Sequence, residues 1–177
     1  MEYRGFTLDR FQQEAVEYIE QDDSVLIAAP TGTGKTLVAD YLTEKVIKSG
    51  KEIIYTAPVK ALSNQKYREY SALLGKNRVG LVTGDLVINR EAPLRIMTTE
   101  ILRNMLLQGR HEGQPGDGEP MSLPPSHLDR LEAVVIDEIH YMDDPSRGTV
   151  WEELLIYLPN DIRVLGLSAT LSNLNEL

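Results

Sequence analysis

The chain has 177 residues, enough for one well-packed domain and too few for two of ordinary size, and its 42% hydrophobic and 25% charged residues are ordinary values for a soluble protein. No apolar run approaches the roughly 20 residues of a membrane helix, the first residues lack a basic-then-apolar secretory pattern, and the absence of cysteine excludes disulfides and thiolate metal sites. One intracellular, cytoplasmic domain without a membrane partner is expected. A net charge of −9 argues against binding to a polyanion by bulk electrostatics, though not by backbone N–H groups and helix N-termini, which no formal charge count records.

Along the chain, apolar runs rich in β-branched residues alternate with segments of helical periodicity. That alternation predicts an α/β fold: a mostly parallel sheet with crossover helices on both faces. Asp9 is placed to cap a helix running to about Gln21, with Phe11, Ala15, Val16 and Ile19 on one face. Residues 24–28 read as a buried strand, and 35–49 as a helix stopped by Gly50. Further strands are predicted at 52–56, 78–82, 94–97, 133–136 and 163–167, the last after a helix over 150–157. Residues 109–126, rich in Gly and Pro, predict a mobile surface loop. No repeat or linker marks a second domain, so residues 1–177 are read as one.

Between the strand at 24–28 and the following helix stands Ala29-Pro30-Thr31-Gly32-Thr33-Gly34-Lys35-Thr36, the strand-to-helix setting of a phosphate-binding loop. Gly32 and Gly34 allow the backbone to turn its N–H groups inward around a β-phosphate, and the helix that starts near Lys35 adds its positive end. Lys35 is expected to reach the β- and γ-phosphates of ATP, and the Thr36 hydroxyl to coordinate Mg²⁺.

The run 132–136 leads straight into Asp137-Glu138-Ile139-His140. Two carboxylates therefore emerge at the C-terminal end of a strand, the edge at which open α/β sheets bind ligands. Asp137 is suited to hold Mg²⁺, and Glu138 to orient and deprotonate the water that attacks the γ-phosphate.

Together these segments resemble the DExH-box helicases of superfamily 2, which commonly carry Ala where Ala29 replaces the first Gly of the loop. Asp137-Glu138-Ile139-His140-Tyr141-Met142, followed by Arg147-Gly148-Thr149-Val150-Trp151-Glu152-Glu153, is similar to a block of the superkiller-type RNA helicases that serve exosomes. The resemblance implies a RecA-like P-loop domain that binds ATP and Mg²⁺ as the first of two lobes, the second lying beyond Leu177. It implies further that Gln12 reads the adenine edge while Phe6 packs on its ring, and that Ser168-Ala169-Thr170 couples to the acidic box, with His140 as partner. Three segments match positions that track one strand's backbone: Pro58, Lys60, Asn64 and Gln65; Thr83, Gly84 and Asp85; Thr98, Thr99 and Glu100. The implied partner is single-stranded or partly duplex nucleic acid, with RNA favoured over DNA by the subgroup alone. Two other readings stay open: a stand-alone P-loop switch or partner-binding domain, and a DNA-repair helicase of the same superfamily. Trp151 lies at helical spacing with Leu154, Leu155 and Leu158, which reads as packing rather than base stacking.

Overall fold

The computed structural model describes residues 1–109, 129–139 and 149–169. Among the described residues seven strands form one sheet, in the order β3-β9-β8-β4-β7-β5-β6. Six of them run parallel, and β6 (Val87–Ile88) joins antiparallel at one end. The parallel strands are β3 (Val25–Ala28), β4 (Glu52–Ala57), β5 (Val79–Val82), β7 (Leu94–Thr98), β8 (Leu131–Ile136) and β9 (Arg163–Ser168). A mostly parallel sheet needs helices on its faces to bury both sides. They are α1 (Arg10–Glu20), α2 (Lys35–Lys48), α3 (Lys60–Leu74), α4 (Thr99–Gly109) and α5 (Thr149–Tyr157).

The period of two along each strand sorts side chains into two cores. Ile53 and Tyr55 of β4 face a core shared with Ile19 of α1, Val38, Leu42 and Val46 of α2, and Tyr70 of α3. Ile54, between them, faces the opposite core with Leu102 and Met105 of α4 and Leu154 of α5. The predicted strands all appear, mostly a residue or two longer than their apolar runs. The antiparallel edge explains Gly80: a Cβ there would lie 2.3 Å from the carbonyl oxygen of Asn89 as the chain returns along β6.

One expectation is corrected. The strand predicted as buried, β3, is the opposite edge of the sheet, and Leu26 is 44% exposed. An all-apolar run does not reveal whether a strand has one neighbour or two. Leu26 opens instead onto an apolar hollow of roughly 300 Å³ lined also by Ile139, Leu155 and Val164.

Two short strands escape the sequence reading. β1 (Glu2–Tyr3) and β2 (Phe6–Thr7) pair antiparallel through a turn in which Arg4 and Gly5 both take positive φ. The hairpin is tied to α2 by Arg4, which pairs with Asp40 at 2.9 Å and with Glu44, and by an edge-on contact of Tyr3 with Tyr41 at 5.4 Å. Burial dominates in raising the Asp40 carboxyl's pKa, against the pull of Arg4. The mobile loop expected at 109–126 lies outside the described residues but for Gly109, which closes α4; the Trp151 side chain, His140 and Thr170 are outside them too.

Candidate nucleotide and strand-binding site

The loop 29–34 leaves the C-terminal end of β3, and α2 begins at Lys35. Gly32 and Gly34 both adopt left-handed backbone, φ 85° and 84°, the conformation that turns successive N–H groups into one concavity and that side chains with a Cβ resist. Around Gly32 there is open space, whereas a Cβ on Gly34 would lie 2.6 Å from Nε2 of Gln12. Gly34→Ala is therefore expected to destabilise the protein by about 1–2 kcal/mol, and Gly32→Ala by less, since only the φ cost remains there. Urea melts of the two variants test this, and equal losses would deny the Gln12 contact any weight.

Lys35 folds its ammonium back over the loop, donating to the carbonyl of Ala29 and, at 2.9 Å, to that of Pro30. Thr33 donates its hydroxyl to the Pro30 carbonyl at 2.8 Å, which tightens the same turn. Thr36 is exposed in the first turn of α2.

Gln12 is packed against the glycine loop. It is 4% exposed; its Oε1 accepts from the Asp9 N–H at 2.8 Å, closing the cap of α1, and its Nε2 donates to the carbonyls of Thr33 and Gly34 at 3.3 and 3.1 Å. The amide is turned onto the loop as a brace, not outward as a free reader of adenine. Phe6, 62% exposed on β2, remains open to a flat ring.

β9 pairs with β3, and the Ala29 N–H continues that pairing by donating to the Ser168 carbonyl at 3.1 Å. The Ser168 hydroxyl is buried and without a hydrogen-bond partner among the described residues. β8 lies on the other side of β9 and delivers Asp137 and Glu138. Asp137 is held on both oxygens: Tyr55 donates to Oδ2 at 2.6 Å, and the Glu138 N–H donates to Oδ1 at 2.9 Å. The second bond accompanies a left-handed Glu138, φ 55°. Strain at a non-Gly residue of this kind collects at functional sites. The sequence reading missed Tyr55. Its signal was a hydroxylated ring inside an apolar strand, which when buried needs a partner for its O–H.

The strand-contact candidates occupy the other half of the same sheet edge, at the ends of the adjacent strands β4, β7 and β5. Lys60 at the start of α3 forms an ion pair with Asp85, whose carboxyl accepts also from the Thr83 hydroxyl at 3.1 Å. These two hydrogen bonds hold the Asp85 pKa below the usual range. Two hydroxyls expected to touch a strand are turned inward: the side chains of Thr83 and Thr99 are buried, the former spent on Asp85 and the Leu86 carbonyl. Gly84, Lys60, Gln65 and Glu100 are exposed, and Pro58, Asn64 and Thr98 half-buried.

Among the described residues no three His, Cys, Asp or Glu side chains form a metal cage. One carboxylate beside a hydroxyl-bearing phosphate loop is the donor set of a Mg²⁺ shared with phosphates and water, so the residues present fit that ion.

A parallel sheet with a glycine loop at one strand end, a buried serine at the next and an acidic pair at the third is a RecA-like P-loop fold. The sequence matches the DEAD/DEAH box helicases over residues 9–177, and the chain belongs to that family. It is 46% identical over 172 residues to a chloroplastic DExH-box ATP-dependent RNA helicase of Arabidopsis thaliana, covering 97% of this chain and 14% of that protein. It is 44% identical over 172 residues to superkiller complex protein 2 of Mus musculus, covering 97% of this chain and 12% of that protein. These relatives bear out the superkiller-type resemblance. The fold superposes on the helicase MrfA, solved with DNA and AMPPNP, with a TM-score of 0.70 at 20% identity over 94% of this chain and 24% of that one. The chain thus spans about a seventh of the length of the first of these relatives and about an eighth of the second.

Proposed function

We propose that this chain is the ATP-binding first lobe of an RNA helicase, in which ATP hydrolysis drives movement along a strand and separation of duplexes. The observation that supports this most is the strand order β3-β9-β8, which brings the glycine loop, Ser168 and the Asp137-Glu138 pair side by side at one sheet edge. In this reading the N–H groups of residues 30–36 and the ammonium of Lys35 hold the β- and γ-phosphates, with Lys35 exchanging its loop carbonyls for phosphate oxygens. Phe6 packs on the adenine, and Gln12, released from the loop, meets its edge. Thr36 and Asp137 hold Mg²⁺, which when bound neutralises phosphate charge. Glu138 accepts a proton from the attacking water. Ser168, Thr170 and His140 couple the acidic box to the far half of the edge, where Pro58, Lys60, Asn64, Gln65, Gly84, Asp85, Thr98 and Glu100, with the backbone of Thr83 and Thr99, grip a strand without reading its bases. A second RecA-like lobe of the full-length protein closes over the nucleotide and supplies an arginine finger. An intracellular, cytoplasmic setting goes with this reading. Among the described residues no helix is long and apolar enough to cross a membrane.

Lys35→Ala tests the nucleotide half. It removes charge-assisted hydrogen bonds, so a fluorescent ATP analogue in Mg²⁺ should bind about 10- to 100-fold more weakly. Unchanged affinity would contradict the phosphate-loop assignment. Without a second lobe the chain is expected to hydrolyse ATP near background, because a missing arginine finger costs about 10³ to 10⁵ in rate. Turnover above roughly 1 s⁻¹ for residues 1–177 alone, within the range of complete phosphoryl-transfer enzymes, would overturn that expectation.

A further inference from the structure

Tyr55 lies in the strand that divides the two halves of the sheet edge. On one side β4 pairs with β8, which ends at Asp137; on the other it pairs with β7, and it runs on into Pro58 and Lys60. The Tyr55 side chain is fully buried, and its ring has little freedom: Tyr70 of α3 packs against it at 5.6 Å with a 58° tilt, and the Lys66 ammonium stands 5.8 Å from its centroid. Lys66 is on the same helix as Lys60, Asn64 and Gln65. The one polar atom of the ring is delivered to Oδ2 of Asp137 at 2.6 Å.

An aspartate at a strand end has free rotation about its Cβ–Cγ bond unless both oxygens are engaged. Here Glu138 N–H engages Oδ1 and Tyr55 engages Oδ2, which sets the carboxylate plane and leaves further lone pairs on both oxygens for an ion or its water. Outer-shell donors of this kind orient metal-binding carboxylates and are felt in metal affinity.

We infer that Tyr55 is a positioning residue for Mg²⁺: through its hydroxyl it orients Asp137 for the ion that accompanies the nucleotide, and through its ring it joins that carboxylate to α3. This rests on the nucleotide-binding reading above, and the experiment separates the two. The full-length protein and its Tyr55→Phe variant are titrated with a fluorescent ATP analogue at graded MgCl₂ and in EDTA. Phenylalanine keeps the ring packing and removes only the donor. The expected result is a half-saturating Mg²⁺ concentration raised about 10-fold, with the EDTA affinity unchanged. A second arm repeats the titration in an Asp137→Asn background, where Tyr55→Phe should add nothing, because the group it orients is gone. An unchanged Mg²⁺ requirement, an equal loss of affinity with and without Mg²⁺, or simple additivity with Asp137→Asn would each overturn the inference. If the unmodified protein binds no nucleotide saturably, the reading beneath falls, and this inference with it.

Discussion

Glu138→Gln in the full-length protein is expected to lower ATP turnover by about 10² to 10⁴, the usual contribution of a general base, while ATP binding is retained. Glutamine keeps the length and shape of the side chain and takes away the basic carboxylate. The left-handed turn at residue 138 is held at its N–H by Oδ1 of Asp137 at 2.9 Å, a bond that the substitution leaves in place. In the proposed reading, binding relies on other groups, the N–H array of the glycine loop and Lys35 for phosphate and Asp137 for the ion. A steady-state ATPase assay beside an equilibrium nucleotide titration separates the two quantities. Equal losses in both would mean that the carboxylate holds the site together and takes no part in proton transfer.

The largest expected effect on stability lies at the other end of the same strands. Near the N-terminal ends of β4 and β7, Arg95 Nη2 meets Glu52 Oε2 at 2.8 Å, with each side chain only 2% exposed. Burial lowers the guanidinium's pKa, and the charge and hydrogen bond of Glu52 oppose that shift. The exposed Arg130 reaches the second oxygen, Oε1, at 3.3 Å. Truncation by Arg95→Ala takes from the buried Glu52 carboxylate its buried cationic partner, a change that costs about 3–5 kcal/mol. Replacing both members, as in Arg95→Met with Glu52→Gln, removes the buried charges together and should recover most of the loss. Urea denaturation of the single and double variants provides the measurement. A single-variant loss below about 1 kcal/mol, the range of an exposed pair, would show that the buried pair with Arg95 matters little to stability.

The sequence displayed the sheet well because its strands are continuous apolar runs, as strands covered on both faces must be. The glycine loop and the acidic pair were legible for a related reason: each is contiguous, and each sits where a strand ends. What stayed hidden depends on partners distant in the chain. β3 looks like its neighbours in composition, and only the sheet order makes it an edge. The hairpin of β1 and β2 has too few residues for any periodicity, and its hold on α2 comes from Arg4 reaching Asp40 across 36 residues. Tyr55 and Asp137 are 82 residues apart, so the hydroxylated ring in an apolar strand signals that a partner is needed without saying which. The inward turn of the Thr83 and Thr99 hydroxyls and the bracing role of Gln12 are equally matters of orientation, which residue type and spacing do not specify.

The same sheet edge carries both halves of the proposed machine, the phosphate loop and acidic pair at β3-β9-β8 and the strand-facing segments at β4-β7-β5. A nucleotide switch would use the first half and leave the second idle. The most direct test is the ATPase rate of the full-length protein with saturating single-stranded RNA, with single-stranded DNA of the same sequence, and with neither. The expected result is hydrolysis that rises when a strand is bound, more with RNA than with DNA, and that falls away in Glu138→Gln. A rate indifferent to both strands would contradict the helicase reading and leave a P-loop switch in its place, whereas stimulation by DNA alone would keep the motor and overturn its assignment to RNA.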